Sequence, residues 1–253
     1  MSDDTPRPAP PRRPPPHVPH QAGLHVAAVD ASGDRVELFR LGHGDDPVRV
    51  LRARGWVAES VRGVETVSRP RHELTLVYAV RPADEADPHP PDVPVPTDPG
   101  LSREPGERAQ PYQRAAAYGL VRSDRGVLLT QLSDTTNAAG RWTLPGGGID
   151  VGESPVEALH REVWEESGQE IDDVEVLDIH TQHWIGRAPS GRLEDFHAVR
   201  MVFTASCPRP TDPVVHDVGG STAAVRWVRP DDLHRYKLTR SFAPHLPVWL
   251  RET

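Results

Sequence analysis

The sequence has almost no cysteine and almost no lysine. A single thiol, Cys207, excludes an internal disulfide in this 253-residue chain. Lys237 is the one lysine, so nearly all positive charge is arginine, and no basic run interrupts a net charge of −8 at pH 7. Bulk nucleic acid is thereby excluded as a partner, because neutralising a phosphate backbone needs a basic surface. A small phosphate ligand stays open if a cation bridges it to the protein. No apolar run approaches the ~18 residues of a spanning helix, and the first residues lack the apolar segment of a secretory signal. The expectation is a cytoplasmic protein without a membrane partner; a homodimer is left open.

Proline is abundant instead, with 28 residues unevenly placed, while hydrophobic residues make up 36%. Mean hydropathy is −0.55, low for one globule of this length. Residues 1–20 are proline-dense, with Arg12 and Arg13 beside Pro14, Pro15 and Pro16. They read as a disordered or polyproline-II arm in preference to an SH3-type ligand. Residues 21–82 read as a small α+β domain: strands at 24–29 and 36–41, a helix capped by Asp46-Pro47 and stopped by Gly55, then strands at 56–66 and 72–80. This unit carries no chemical motif. Residues 83–110 are proline- and acid-rich and read as a linker. From 111 to 253 a second domain is expected, with strands at 115–121, 126–133, 141–144, 174–185, 196–207 and 223–228. Short helices are expected after Pro230 and over 240–250. Strands interrupted by one long helix point to the α/β class.

That long helix is the best-defined stretch of the chain. Ser154 is an N-cap, Pro155 fits the first helical position, Glu157 completes a capping box, and Gly168 suits the residue after the last turn. At about 100° per residue, Val156, Leu159 and Val163 form a core stripe. Glu162, Glu165 and Glu166 share the adjoining face, with Ala158 beside them leaving room. Like charges at these spacings repel by ~0.2–0.5 kcal/mol per pair, and Arg161 is the sole cation in the run. Hard divalent ions want such oxygen donors, and Mg²⁺ also accepts phosphate oxygens. The preceding Gly146-Gly147-Gly148 loop lets backbone approach, offering a carbonyl to the ion or an amide to phosphate. A solvated acidic helix is the competing reading; the glycine loop and the capping weigh against it.

The segment Gly147-x5-Glu153-x7-Arg161-Glu162-Val163-x-Glu165-Glu166-x-Gly168 resembles the Nudix box, G-x5-E-x7-R-E-U-x-E-E-x-G-U, with U a bulky apolar residue. Gln169 departs from the final U, and Ile171 is expected to take over its packing. Residues 142–145 and 225–228 also look like the family, so the resemblance spans roughly 112–253. It implies a Nudix-type α/β/α sandwich with a mixed sheet that hydrolyses a nucleoside diphosphate linked to another group, using Mg²⁺ or Mn²⁺. Carried over by position, Glu162, Glu165, Glu166 and the Gly146 carbonyl hold the metal. Arg161 orients the glutamates, and Glu153 supports or joins the site. The general base varies within the family; Asp217 and Glu194 are candidates here. Modified nucleoside triphosphates, ADP-ribose and nucleotide sugars are candidate substrates. The alternative is a non-catalytic nucleotide sensor on the same fold. The intact glutamates favour the enzyme, and no helix-turn-helix pattern supports a transcriptional sensor.

For substrate contact, Gly147, Arg187, Arg192 and Arg200 are candidates. Trp184, Phe196 and Phe203 read as core or rim in preference to base-stacking. His180 and His183, three apart in a strand, point to opposite faces and do not form a metal pair. Cys207 reads as a small buried apolar residue, and Asp231-Asp232 as first-turn helix charges.

Overall fold

The computed structural model describes residues 22–88, 91, 94–217 and 219–252; the proline-rich arm expected at 1–20 lies outside them. Four strands form the N-terminal sheet: β1 (Gly23–Val29), β2 (Arg35–Arg40), β3 (Trp56–Val67) and β4 (Glu73–Pro82), in the order β2-β1-β4-β3. β1 and β4 run parallel, and helix α1 (Pro47–Ala53) lies in the connection between β2 and β3. Asp46 starts α1 by accepting from the Arg49 amide at 3.0 Å, which satisfies one of the orphan donors of the first turn.

The second sheet has seven strands. β5 (Gln110–Ser123), β6 (Gly126–Leu132), β9 (Asp172–Arg187), β10 (Leu193–Ser206) and β11 (Thr222–Val228) run in the order β11-β6-β5-β10-β9. The short β7 (Trp142–Thr143) pairs with β6, and β8 (Gly146–Gly148) pairs with β5. β5 and β10 are parallel over a long register while their other pairings are antiparallel, so the sheet is mixed. Alternation along β5 sends successive side chains to opposite faces. Ala117 and Val121 pack with Leu159 and Val163 of helix α2 (Pro155–Ser167). Leu120 packs on the other face with Phe242, Leu246 and Trp249 at helix α3 (Leu246–Glu252). The result is an α/β/α sandwich of the α/β class.

The N-terminal sheet lies on the α2 side of this sandwich. Leu24, Leu51, Leu76 and Tyr78 belong to the same apolar cluster as Val199, Met201 and Phe203. Polar ties cross the boundary as well. Ser68 donates to the Gly152 carbonyl at 2.9 Å, the His72 ring meets the Glu153 carbonyl at 2.9 Å, and Thr181 donates to Asp46 at 2.5 Å. The acid-rich connection is tied down too: Thr97 bridges Ile185, and Arg187 grips Glu107 with both terminal nitrogens, at 2.9 and 2.7 Å.

Four local expectations change. The glycine loop is itself a strand, β8, because close pairing to β5 suits residues without side chains. Val156 is 37% exposed and lines a groove between the sheets, whereas Ala158 is fully buried in the core instead of opening space beside the glutamates. The helix buries a stripe turned slightly from the predicted one, with Ala158, Leu159 and Val163 inward and Val156 at the groove between β3 and β9. Residues 230–235 form a 3-10 helix, carrying Asp231 and Asp232 in its first turn, and the last α-helix starts at Leu246.

The capping box of α2 is complete. Ser154 Oγ accepts from the Glu157 amide at 3.2 Å and Glu157 accepts from the Ser154 amide at 2.8 Å. Gly168 closes the helix in the left-handed region at φ 66°. Ser154→Ala is expected to cost about 1 kcal/mol, read as a shift in urea midpoint at unchanged m-value.

Candidate active site

The box residues converge between α2 and β8. Arg161 is the organiser, and both faces of its guanidinium fork are used. It holds Glu153 through Nε at 2.8 Å and a terminal nitrogen at 2.9 Å, Glu162 at 2.9 Å, Glu165 at 3.2 Å, and the Gly148 carbonyl at 2.9 Å. One cation therefore sets the rotamers of three carboxylates and ties them to the glycine strand. The hydrogen bond to Glu153 does most to raise the Arg161 pKa, and the same bond holds the Glu153 carboxyl below its usual range.

Glu162 and Glu166 are different in kind. Burial pushes the Glu162 pKa up despite the Arg161 hydrogen bond. Glu166 is 5% exposed, and no salt bridge reaches it among the described residues. It accepts from Thr222 Oγ1 at 2.6 Å and from the Gly146 amide at 3.0 Å. Burial outweighs both bonds and raises its pKa to about 8. A carboxylate kept out of water with two neutral donors is costly unless a further positive charge joins it.

The glycines of β8 exist because of this crowding. A Cβ on Gly147 would lie 2.6 Å from Glu162 Oε1, and one on Gly146, at φ 138°, would lie 2.2 Å from the Ala117 carbonyl oxygen. The donors fit a hard divalent cation: carboxylate oxygens crowd a backbone strand stripped of side chains, and among the described residues no cationic side chain is bonded to Glu166.

Asp217 belongs to the same neighbourhood. Its amide, like that of His216, hangs from the Glu165 carbonyl at 3.0 and 2.8 Å, and its charge is felt at Glu166. Trp164 stacks on His216 with centroids 4.5 Å apart and holds this loop against α2. Glu194 is instead paired with Arg192.

Beside the box lies the sheet face opposite the N-terminal unit. The registers align Tyr112 with Phe196 and Trp184, Arg114 with Ala198 and Gln182, and Ala116 with Arg200 and His180. Phe196 packs on Trp184 and Tyr112 with centroids 4.5 and 5.4 Å apart, all three rings partly exposed. Arg200 donates to Gln182 at 3.0 Å, and burial lowers its pKa. Arg114 lies against Gly148, and its charge is felt at Glu162. Burial, then His245 and Arg200, lower the His180 pKa to about 4. Of the predicted substrate residues, Gly147 and Arg200 thus adjoin the glutamates or this face. Arg187 is committed to Glu107, and Phe203 is core. Arg114 and Tyr112 were not singled out from the sequence; alternation along β5 with Ala116 was the signal available.

Gln169, at the apolar position of the box, is buried but satisfied. Its side chain donates to Thr211 Oγ1 at 2.9 Å and accepts from the Thr211 amide at 2.9 Å, while Ile171 fills the core. Cys207 is buried beside it. Gly146→Ala is expected to destabilise the protein by about 1–3 kcal/mol through backbone strain, more if β8 cannot withdraw from Ala117, as a lowered melting temperature would record.

Comparison with known proteins agrees with the geometry. The NUDIX domain family matches residues 112–249. A nucleoside triphosphatase, NudI, of Escherichia coli O1:K1 is 30% identical over 126 residues, covering 47% of this chain and 84% of that protein. Among solved structures, a MutT protein from Methanosarcina mazei Go1 aligns with 22% identity and a TM-score of 0.44 over 58% of this chain and 98% of that one. The NUDIX domain of Shewanella oneidensis NrtR, solved with ADP ribose, aligns with 24% identity and a TM-score of 0.43 over 58% and 89%. No helix among the described residues is long and apolar enough to cross a membrane. With every charged and glycine position of the box present and the match extending over most of the second sheet, this chain belongs to the Nudix family of pyrophosphohydrolases.

Proposed function

We propose that this enzyme hydrolyses the diphosphate linkage of a nucleoside derivative, with Mg²⁺ or Mn²⁺ held by Glu162, Glu165, Glu166 and the Gly146 carbonyl. The observation that carries the reading is Glu166, buried beside a glycine strand with no cationic partner among the described residues. When bound, a divalent ion supplies charge neutralisation for the diphosphate and lowers the pKa of water.

The chain's own residues do the rest. Arg161 keeps Glu153, Glu162 and Glu165 in fixed rotamers, so little reorganisation accompanies binding. Arg114, exposed between Glu162 and the aromatic face, receives phosphate oxygens. Tyr112, Phe196 and Trp184 offer π-faces to a base, and Gln182, held by Arg200 and by Ser241 at 2.8 Å, offers polar contacts. Asp217 takes the proton of the attacking water as its oxygen bonds to phosphorus and the bond to the departing phosphate opens. Nucleoside triphosphates come first as substrates, since the E. coli relative is a nucleoside triphosphatase; ADP-ribose and nucleotide sugars follow.

A hydrolysis screen over these three classes with Mg²⁺ and with Mn²⁺ tests the reading, and no turnover of any would refute it. Glu165→Gln and Glu166→Gln are expected to fold and to lose at least ~100-fold in kcat. Asp217→Asn is expected to lose about 10²–10⁴-fold in kcat. Wild-type turnover in Asp217→Asn would move the base elsewhere.

The pH dependence has a definite sign. In the metal-free protein Glu166 keeps its proton up to about pH 8, whereas the ordinary value is 4.5. The folded state therefore binds more protons than the unfolded one between these values, and its stability falls as pH rises through them. Binding a cation at pH 7 must displace that proton. Calorimetry in buffers of different ionisation enthalpy is expected to show proton release with Mg²⁺, and affinity that climbs with pH and levels near 8. Glu166→Gln is expected to remove both.

A further inference from the structure

A second group of ligating side chains sits where the N-terminal unit meets the sandwich, on the sheet face opposite the aromatic rings. His183 of β9 and Asp195 of β10 come from the catalytic unit, and His43 comes from the loop before α1. One ligand atom of each lies within 4.8 Å of the others. His183 Nε2 is 2.5 Å from Asp195 Oδ1, and His43 Nε2 is 3.4 Å from the same oxygen. Two ligands held at about 2.1 Å from a tetrahedral zinc ion stand roughly 3.4 Å apart. His43 and Asp195 already have that spacing, and the His183–Asp195 pair reaches it by opening less than about 1 Å.

The loop that presents His43 is built to stay there. Asp45 Oδ2 accepts from the Gly42 amide at 2.9 Å, Gln113 donates to the Gly42 carbonyl at 3.2 Å, and Asp46 accepts from Thr181 at 2.5 Å. Gly44, at φ 80°, passes so close to His183 that a Cβ would lie 2.6 Å from the ring. The His43 and His183 rings meet edge to face at 5.2 Å, and the buried His197 packs against both at 5.7 and 5.8 Å. Beside them a groove of about 750 Å³ opens to solvent, leaving room for water to complete the coordination.

We propose that His43, His183 and Asp195 form a transition-metal site of zinc type, separate in place and chemistry from the box. Two imidazoles and one carboxylate suit Zn²⁺ and discriminate against Mg²⁺, which prefers oxygen donors alone. The ion joins the loop at 42–46 to β9 and β10, so its binding energy fastens the N-terminal unit to the catalytic sheet.

The test uses the full chain, stripped of metal and then kept in excess Mg²⁺ to fill the box. Zn²⁺ titration by calorimetry is expected to show one equivalent bound per chain, and Co²⁺ to give the visible absorption of a low-symmetry site with nitrogen ligands. Zn²⁺ is expected to raise the melting temperature. His43 is exposed, so His43→Ala leaves folding intact and is expected to weaken Zn²⁺ at least roughly tenfold and to abolish the thermal shift; Asp195→Asn is expected to behave alike. The Glu165→Gln/Glu166→Gln double variant is expected to retain the site. Three outcomes overturn the proposal: no Zn²⁺ binding in the presence of Mg²⁺, binding unchanged in His43→Ala, or binding abolished in the double glutamine variant.

Discussion

Glu166 is held out of water between its own helix and a strand of glycines, and the surrounding structure is arranged to tolerate that. Thr222 reaches it from β11 and the Gly146 amide from β8, each a neutral donor. Neither matches the hydration a carboxylate gives up on burial, which is why its proton is retained so far above the ordinary range. The glycines are the geometric counterpart: any side chain on Gly146 would strike the Ala117 carbonyl of β5. The loop at 211–217 is fixed by the same helix end, with the Val214 amide on the Ser167 carbonyl and the His216 and Asp217 amides on that of Glu165. One buried acid thus ties α2 to β8 and β11, and the residues on either side of it hold the loop.

The two faces of the second sheet have divided duties. One carries partly exposed rings and arginines leading toward the glutamates. The other is dry over Val199 and Met201, and polar at its edge, where His183, Asp195 and His197 meet the loop at 42–46. Strand alternation makes the division possible, since residues on β9 and β10 serve opposite sides at every step. The connection between β3 and β4 also reaches the box directly, because Ser68 and His72 hold the carbonyls of Gly152 and Glu153 just ahead of α2. Its contribution is to the placement of Glu153, and through Glu153 to Arg161.

Much of this was legible in the residues. The caps of α2 were readable because capping is local: Ser154, Pro155, Glu157 and Gly168 act within one turn of where they stand. The glutamate set was readable because a helix fixes which residues share a face. Strand positions followed from alternation and turn residues. What escaped was non-local. Val156 and Ala158 exchanged environments because α2 buries its face against β5 and β8 and leaves Val156 at a groove beside β3 and β9, which no helical pattern encodes. Arg187, a candidate for phosphate, is taken by Glu107, some eighty positions earlier in the chain. His180 and His183 were correctly separated by strand parity, yet His183 has partners in His43 and Asp195 that only the tertiary fold supplies. The glycine triplet was read as a loop because glycine is a poor strand former; β8 exists because nothing larger fits beside β5.

Gln113 and Arg114 are neighbours on β5 and point to opposite faces. The Gln113 amide touches the Gly42 carbonyl and the His197 ring at 3.2 and 2.9 Å, while Arg114 lies against Gly148 of the box strand. The seat of the N-terminal loop and the cationic edge of the catalytic cleft are therefore one peptide unit apart. At this point β5 is paired with β10, Gln113 opposite His197 and Arg114 opposite Ala198, so one short stretch of backbone serves both surfaces.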